Sequence, residues 1–464
     1  MSSFFNRWIQ CVAIALVMMG LTSCASLTSS DKTENEPMPL SALNSEDVTF
    51  TKEWRDTQSD LTGTYAVLLS PTVSDDAVIS ASENGLVEAR SLTKGHSIWR
   101  YKVKSKITAG LGSDVNHVYF VTSDFELIAL NKKNGEKVWQ VTLQSGVVAT
   151  PVSNNLVLVV HGIDGKISGF DPHSGKNFWI HQQTIPELTQ RGNSRPTFVA
   201  NQWVVQGVDN GKVVVLRSQQ GGLAFEVKVN TTANAAFSDL DLPVLATEDG
   251  LIVASKQKGL MMLSPSGEVL WQGRYKNDDI KSIALQGSNV LVVTESDKVY
   301  SHVTRTGRLN WINDALRHRG LSPASGTRSL VYVLDKEGVL HALKASSGTI
   351  VGRSSMKLGQ SSNPVLIQGT HIVAMDDNGK LAVYMQTGRT LSKMMSKKVK
   401  IKASNEATKS TPKPEVKSAP KSLPSDKAPA VKVEPVKREA SKQDVPSGKV
   451  PIRRVKVKVN KPSK

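Results

Sequence analysis

A glycine followed four residues later by an aromatic recurs at Gly95–Trp99, Gly135–Trp139, Gly175–Trp179, Gly221–Phe225, Gly267–Trp271 and Gly307–Trp311. The aromatics lie 40, 40, 46, 46 and 40 residues apart. Such a period leaves few folds open, because each copy must be one supersecondary unit that buries its apolar face against its neighbours. Gly348 and Gly388 carry the series two steps further, although Gly352 and Ser392 stand where the aromatic belongs. Five of the eight tryptophans fall in this register, which chance does not produce.

A second landmark precedes the first by 8–11 residues in each clear copy. It is a polar-Gly turn between two short apolar runs: Asn84-Gly85, Asp164-Gly165, Asn210-Gly211, Lys258-Gly259, Glu337-Gly338 and Asn378-Gly379. Asn-Gly and Asp-Gly favour two-residue hairpins, whose central residues need positive φ. Phe125-Glu126 and Asp297-Lys298 occupy the same place without glycine, so there are eight copies. Each reads as strand, tight turn, strand, glycine turn, aromatic strand, in runs rich in Val, Ile and Leu. Four short strands in about 40 residues make one propeller blade. A sandwich array would not keep this period, and a β-solenoid uses a shorter one. The expected fold is all-β, an eight-bladed β-propeller of four-stranded antiparallel blades over residues 47–390. The last turn is followed by only one convincing strand, at 381–385. An early run at 48–54 is therefore expected to complete the last blade and close the ring.

The formal charge of +17 sits mainly at one end. Residues 396–464 hold twenty Lys/Arg against six Asp/Glu, which is +14 of the total, with nine prolines and no aromatic. Such a stretch cannot bury enough apolar surface to fold, so 391–464 reads as a disordered basic tail. The near-neutral remainder argues against a nucleic-acid-binding core. The tail is either a solvated extension or a patch that attracts an anionic envelope polymer.

Both cysteines, Cys11 and Cys24, lie at the N-terminus, which excludes a disulfide framework and a cysteine-based zinc site. Residues 1–23 read as an export signal. Arg7 precedes an apolar run of 13 residues, Ile9 to Leu21, short of the ~20 needed to span a bilayer. The run ends in Leu21-Thr22-Ser23-Cys24-Ala25, which resembles the bacterial lipobox, in which the cysteine thiol takes a thioether-linked lipid. Ala25 in place of Asp implies outer-membrane sorting. Polar residues with Pro37 and Pro39 make 24–46 a flexible tether.

The run Ala129-Leu130-Asn131-Lys132-Lys133-Asn134-Gly135-Glu136-Lys137-Val138-Trp139 resembles the repeat of pyrroloquinoline-quinone-type propellers. Joined to the lipobox, to Gln206-Gly207-Val208-Asp209-Asn210-Gly211-Lys212-Val213, to Leu316-Arg317-His318-Arg319 and to Ser238-Asp239-Leu240-Asp241, it resembles the BamB family of outer-membrane-protein assembly lipoproteins. The resemblance implies a lipid-anchored, non-enzymatic subunit at the periplasmic face of the outer membrane. It also implies docking on the POTRA domains of a BamA-like barrel insertase, alongside other lipoproteins of the assembly complex. Two family segments carry that contact. Leu188-Thr189-Gln190-Arg191-Gly192 matches at Leu188 and Arg191, with Gln190 in place of a leucine, and the Asp-x-Asp loop is matched by Asp239 and Asp241. The residues are compatible with this. Leu188 lies in a stretch between strands where no core needs it, and Arg191 suits a bidentate pair with a carboxylate. Asp also bonds its own backbone in turns, so from the residues alone both readings of Asp239 and Asp241 stand.

Catalytic signatures are missing from the sequence. The nine histidines, among them His96, His161 and His318, show no metal-ligand spacing, and no GxSxG or phosphate-binding loop occurs. Quinone dehydrogenases of this repeat type usually carry a vicinal cysteine pair, which this chain cannot form. No enzyme activity and no cofactor are expected. The alternative function is a periplasmic propeller that binds peptidoglycan or polysaccharide.

Overall fold

The computed structural model describes residues 36–43, 46–56, 69–74, 76–147, 149–184, 194–229, 240–255, 258–275 and 277–388. Among these residues thirty-two strands form eight separate four-stranded antiparallel sheets. The eight-bladed propeller expected from the repeat is the observed fold. Blade two shows the plan, with strands Ile107–Ser113, His117–Thr122, Glu126–Asn131 and Lys137–Thr142 laid side by side in chain order. The two middle strands are mostly buried, while the fourth alternates exposed and buried positions along an outer edge.

Each apolar core lies between blades and not within one. Eight clusters of buried side chains each join two successive blades, and the eighth joins blade eight to blade one. Trp99 of blade one, for example, packs with Val118, Phe120, Ile128 and Leu130 of blade two.

The repeated glycine and aromatic belong to neighbouring blades. A Cβ on Gly135 would sit 2.4 Å from the ring of Trp99, and one on Gly175 would sit 2.7 Å from the ring of Trp139. The two glycines have φ of 74° and 72°, so both backbone conformation and lack of side chain are used. Each indole also donates its Nε1–H to a carbonyl at that turn. The bonds run from Trp99 to Lys132 at 3.1 Å, Trp139 to Pro172 at 2.9 Å and Trp179 to Ser218 at 2.8 Å. Those from Trp271 to Thr304 and Trp311 to Ala345 are 2.8 and 2.7 Å.

The N-terminal strand Val48–Arg55 closes the ring, pairing antiparallel with Leu381–Gly388 from Val48↔Gly388 to Arg55↔Ala382. Blade eight thus has two strands, Leu366–Gln368 and His371–Met375, before its third and takes its fourth from the other end of the chain. This explains both missing aromatics. Blade eight has no glycine-turn hairpin, and Ser392 lies outside the described residues. Trp54 supplies the ring instead. It donates to Leu92 O at 2.8 Å and lies 2.6 Å from where a Gly95 Cβ would be. At Gly352 an added Cβ would meet Val48 O at 2.4 Å, because the incoming strand fills the place of the aromatic.

Antiparallel order puts the second-to-third-strand turns and the loops between blades on one face, called here the loop face. Backbone bonds from Val103 to Gly85, Leu143 to Phe125, Gln183 to Gly165 and Val229 to Gly211 fasten loop to turn within each blade. The glycine turns at Gly95, Gly135 and their equivalents occupy the opposite face.

Trp54 is half-buried, so Trp54→Ala is expected to cost about 2–3 kcal/mol, less than truncation of a fully buried core aromatic. The check is the urea unfolding midpoint, with exposed Val115→Ala as a control that leaves it unchanged.

Candidate functional site

The two loops expected to carry partner contacts both emerge on the loop face, on either side of blade four. Leu188 and Arg191, with Gln190, lie in 185–193, and Asp239 lies in 230–239, so all four are outside the described residues, as is Cys24. Asp241 is described and half-buried, immediately after buried Leu240. The structure thus defines the roots of these loops.

All four roots are fastened to one hairpin of blade four, between Trp203–Gly207 and Lys212–Arg217. Gln206 is fully buried in an otherwise valine-rich strand. Its Nε2 donates 2.7 Å bonds to the carbonyls of Ser194 and Gly207, holding the end of the first loop. Asn210 Nδ2 reaches Thr184 O, at the start of that loop, at 3.5 Å. Val229, which opens the second loop, donates to Gly211 O at 2.9 Å. Leu240 closes it by packing on Gly207, where a Cβ would stand 2.9 Å from the leucine Cβ. The two loops are tied to each other as well. Ser194 Oγ donates to Leu242 O at 3.2 Å, and Thr197 Oγ1 to Val244 O at 2.7 Å. Buried polar groups need such partners, and here the partners set where the loops start and stop. The stretch from Gln206 to Val213 is recognisable by resemblance, but its role as a shared root is not. The signal was there: a glutamine in Trp-Val-Val-Gln-Gly has no place in an apolar strand unless it is bonded.

Blade three supports the same corner. His161 ends the strand Leu158–His161 and is buried. Burial pushes its imidazole down to about 4, against the opposing effects of a bond with the Ser194 backbone and the charge of Asp164.

The loop face also exposes apolar side chains beside these loops. Phe125 is 42% exposed and takes a φ of 63° at a turn where six blades use glycine. A left-handed conformation is costly for a bulky side chain. In blade six Asp297 adopts the same conformation at φ 62°, but its carboxylate accepts bonds from Gly320 N and Leu321 N at 2.6 and 2.8 Å. Phe125 has no such bond to offset the strain. Phe125 and Ile163 flank Gly146, each 3.4 Å from where its Cβ would be. Beside them a cavity of about 160 Å³ opens between blades two and three, lined by Ser145, Gly162, Asp164 and Lys166. That is below the ~300 Å³ at which small-molecule sites begin.

The most buried titratable cluster is centred on Asp335. Asp335 is fully buried and accepts bonds from Arg319 at 2.8 Å, His341 at 3.0 Å and Val339 N at 2.8 Å. Burial opposes its ionisation, but the bond from His341 and the others outweigh it and hold the carboxyl below its ordinary range. Among the described residues no group of three or more His, Cys, Asp or Glu could hold a metal ion.

A family model described as outer membrane protein assembly factor BamB matches residues 83–313 and 298–392. The chain belongs to the BamB family. The BamB of Shewanella oneidensis is 26% identical over 389 residues, spanning 79% of this chain and 97% of that protein. The crystal structure of BamB from Moraxella catarrhalis aligns with a TM-score of 0.62 at 22% identity, over 72% of this chain and 99% of that one. A quinohemoprotein alcohol dehydrogenase from Comamonas testosteroni aligns with a TM-score of 0.57 at 12% identity, over 73% and 76% of the two chains. At such identities a structural likeness shows the fold, and the propeller is common to BamB and to these dehydrogenases.

The buried His161 makes this BamB-family chain sensitive to acid. Its folded pKa is lowered, so between the ordinary value near 6.5 and about 4 the unfolded chain binds a proton that the folded one excludes. Stability is complete above that window and falls as pH drops through it, by about 2 kcal/mol at this residue on going from pH 7.5 to 5. Urea midpoints at the two pH values measure the loss, and His161→Gln is expected to shrink it.

Proposed function

We propose that this chain is a non-catalytic scaffold subunit of the machinery that assembles β-barrel proteins in the outer membrane. In this reading residues 1–23 are a lipoprotein signal, Cys24 carries the lipid, and 24–46 tether the propeller of 47–390 to the periplasmic face of the outer membrane. The propeller docks on the POTRA domains of a BamA-like barrel insertase, next to the other lipoproteins of the complex. Leu188, Arg191, Asp239 and Asp241 make the contact.

One observation carries the docking surface: two loops on one face, rooted in the same buried hairpin through Gln206, Gly207, Asn210 and Gly211. A shared root fixes the distance between the loops, which a surface needs in order to present two contacts at once. Exposed Phe125 and Ile163 on that face add apolar area beside them. The relatives' name, outer membrane protein assembly factor, supports the same role, as does a match that spans 97% of the Shewanella protein. Gln190 in place of leucine trades part of the apolar contact for a polar one.

Affinity capture from solubilised outer membranes tests this. The barrel insertase is expected to co-purify with the native chain and to be lost with Arg191→Glu plus Asp239→Lys. Recovery of glycans without the insertase would support the alternative, a periplasmic propeller that binds peptidoglycan or polysaccharide.

The basic tail, 391–464, has a separate proposed role, attraction to anionic envelope polymer such as lipopolysaccharide phosphates or peptidoglycan carboxylates. Retention on cell-wall material is expected to fall with salt and to vanish on truncation after Met395. Retention that survives truncation refutes the role.

A further inference from the structure

The segment just before the ring-closing strand is bonded to the side of blade seven at three heights. Met38 N donates to Arg317 O at 3.0 Å, and Arg319 Nη1 donates to Met38 O at 3.0 Å. The guanidinium of Arg317 lies 3.9 Å from Met38 Sδ. Arg353 Nη1 donates to Ser41 O. Asp47 N donates to Val351 O at 3.0 Å, and the Asp47 carboxylate pairs with Lys344 at 3.1 Å.

These bonds run from one face of the ring to the other. Arg317 and Arg319 follow the fourth strand of blade six, Leu309–Asn313, and so lie on the loop face. Lys336, in the second-to-third-strand turn of blade seven, donates to Arg319 O at 2.9 Å and marks the same end. Arg353 lies within the outer strand Ile350–Ser355. Val48 pairs with Gly388 at the opposite, glycine-turn face. A chain that entered its strand at Val48 without these contacts would leave from the glycine-turn face. Here it is carried across the blade and leaves from the loop face.

The receiving end is rigid. Arg319 is almost fully buried and held by Asp335 at 2.8 Å and by Glu337, and Asp335 is held in turn by His341. An arginine fixed on two carboxylates keeps one donor, Nη1, aimed at the Met38 carbonyl.

We propose that residues Pro37 to Ser41 are a docked strap that moves the membrane anchor to the loop face, so that the propeller presents that face toward the bilayer. The orienting role rests on the reading of Cys24 as the lipidated residue; the docking itself does not. With the strap in place, 14 residues separate Cys24 from Met38, an extended reach of about 50 Å. With the strap released, 24 residues separate Cys24 from Val48, a reach of about 80 Å that begins on the far face. The strap thus both shortens the leash and selects the face that the leash leaves from.

The test uses the full-length chain in vesicles, with mass spectrometry confirming the lipid on Cys24. Single cysteines for a fluorophore are placed at the two ends of one blade-six strand, Val299–Val303, as Glu295→Cys on the loop face and Arg305→Cys on the glycine-turn face. Energy transfer to an acceptor in the lipid headgroups is expected to be stronger from position 295. The difference is expected to collapse when residues 37–41 are replaced by a Gly/Ser sequence together with Arg353→Ala. Equal or stronger transfer from position 305 in the native strap, or a difference that survives the replacement, overturns the orienting role. Hydrogen exchange at the Met38 amide reads the docking alone. It is expected to slow on the order of ten-fold or more against the replaced strap. An unprotected amide there overturns the strap itself, whereas an unmodified Cys24 overturns only the anchor reading.

Discussion

An indole set against a glycine turn of the next blade, with its N–H on a carbonyl there, is the joint on which the ring depends. It occurs six times, from Trp54 round to Trp311, with donor–acceptor distances of 2.7 to 3.1 Å. One such bond is worth only about 1 kcal/mol net, but each ring also buries on the order of 200 Å² of apolar surface. The joint couples blades rather than stabilising one, as the eight inter-blade cores require. Two seams are built differently. Between blades four and five Phe225 stands in the series without an N–H, and Val227 takes the place over Gly267, 2.3 Å from where its Cβ would be. Between blades seven and eight the N-terminal strand fills the space over Gly352.

Much of this was legible in the sequence, because the joint needs two residue types at fixed spacing. The 40-residue period, the eight turns and closure by the N-terminal run all follow from Gly, Trp and Asn-Gly positions. Trp54 was not readable as the ring of blade eight. It stands before the first copy, and its partner glycine, Gly95, also serves as the first half of the next pair. The short first strands, such as Thr72–Val73 and Ser325–Gly326, were not readable either, since two residues carry no pattern. The polar-Gly turn also proved a conformational rule before a compositional one. Phe125 and Asp297 adopt the glycine's left-handed geometry without being glycine.

The loops of the proposed docking face were recognisable by resemblance, but what positions them was not. Gln206, Ser194 and Gly207 act across distances in sequence that no local pattern spans. The same holds for the contacts of Met38 and Ser41, within a stretch that reads as a polar tether. Nothing in Pro-Met-Pro-Leu-Ser announces a bond to Arg319 or Arg353, 281 and 312 residues from their partners. In both cases a buried or half-buried polar side chain does the fastening. In both the sequence clue is a charged or amide group whose local surroundings do not explain it.

Closure by the first strand also sets an order of events. Thr49 and Thr387, bonded to each other in the finished ring, are 338 residues apart, so the last blade is also the contact of longest range in the fold. A chain synthesised from its N-terminus presents Val48–Arg55 before any of the residues they pair with. Until those residues are made, that strand and its tryptophan lack the partner that completes blade eight. Completion therefore needs the last strand, and a chain cut short anywhere before Leu381 lacks the partner of Val48–Arg55 that closes the ring.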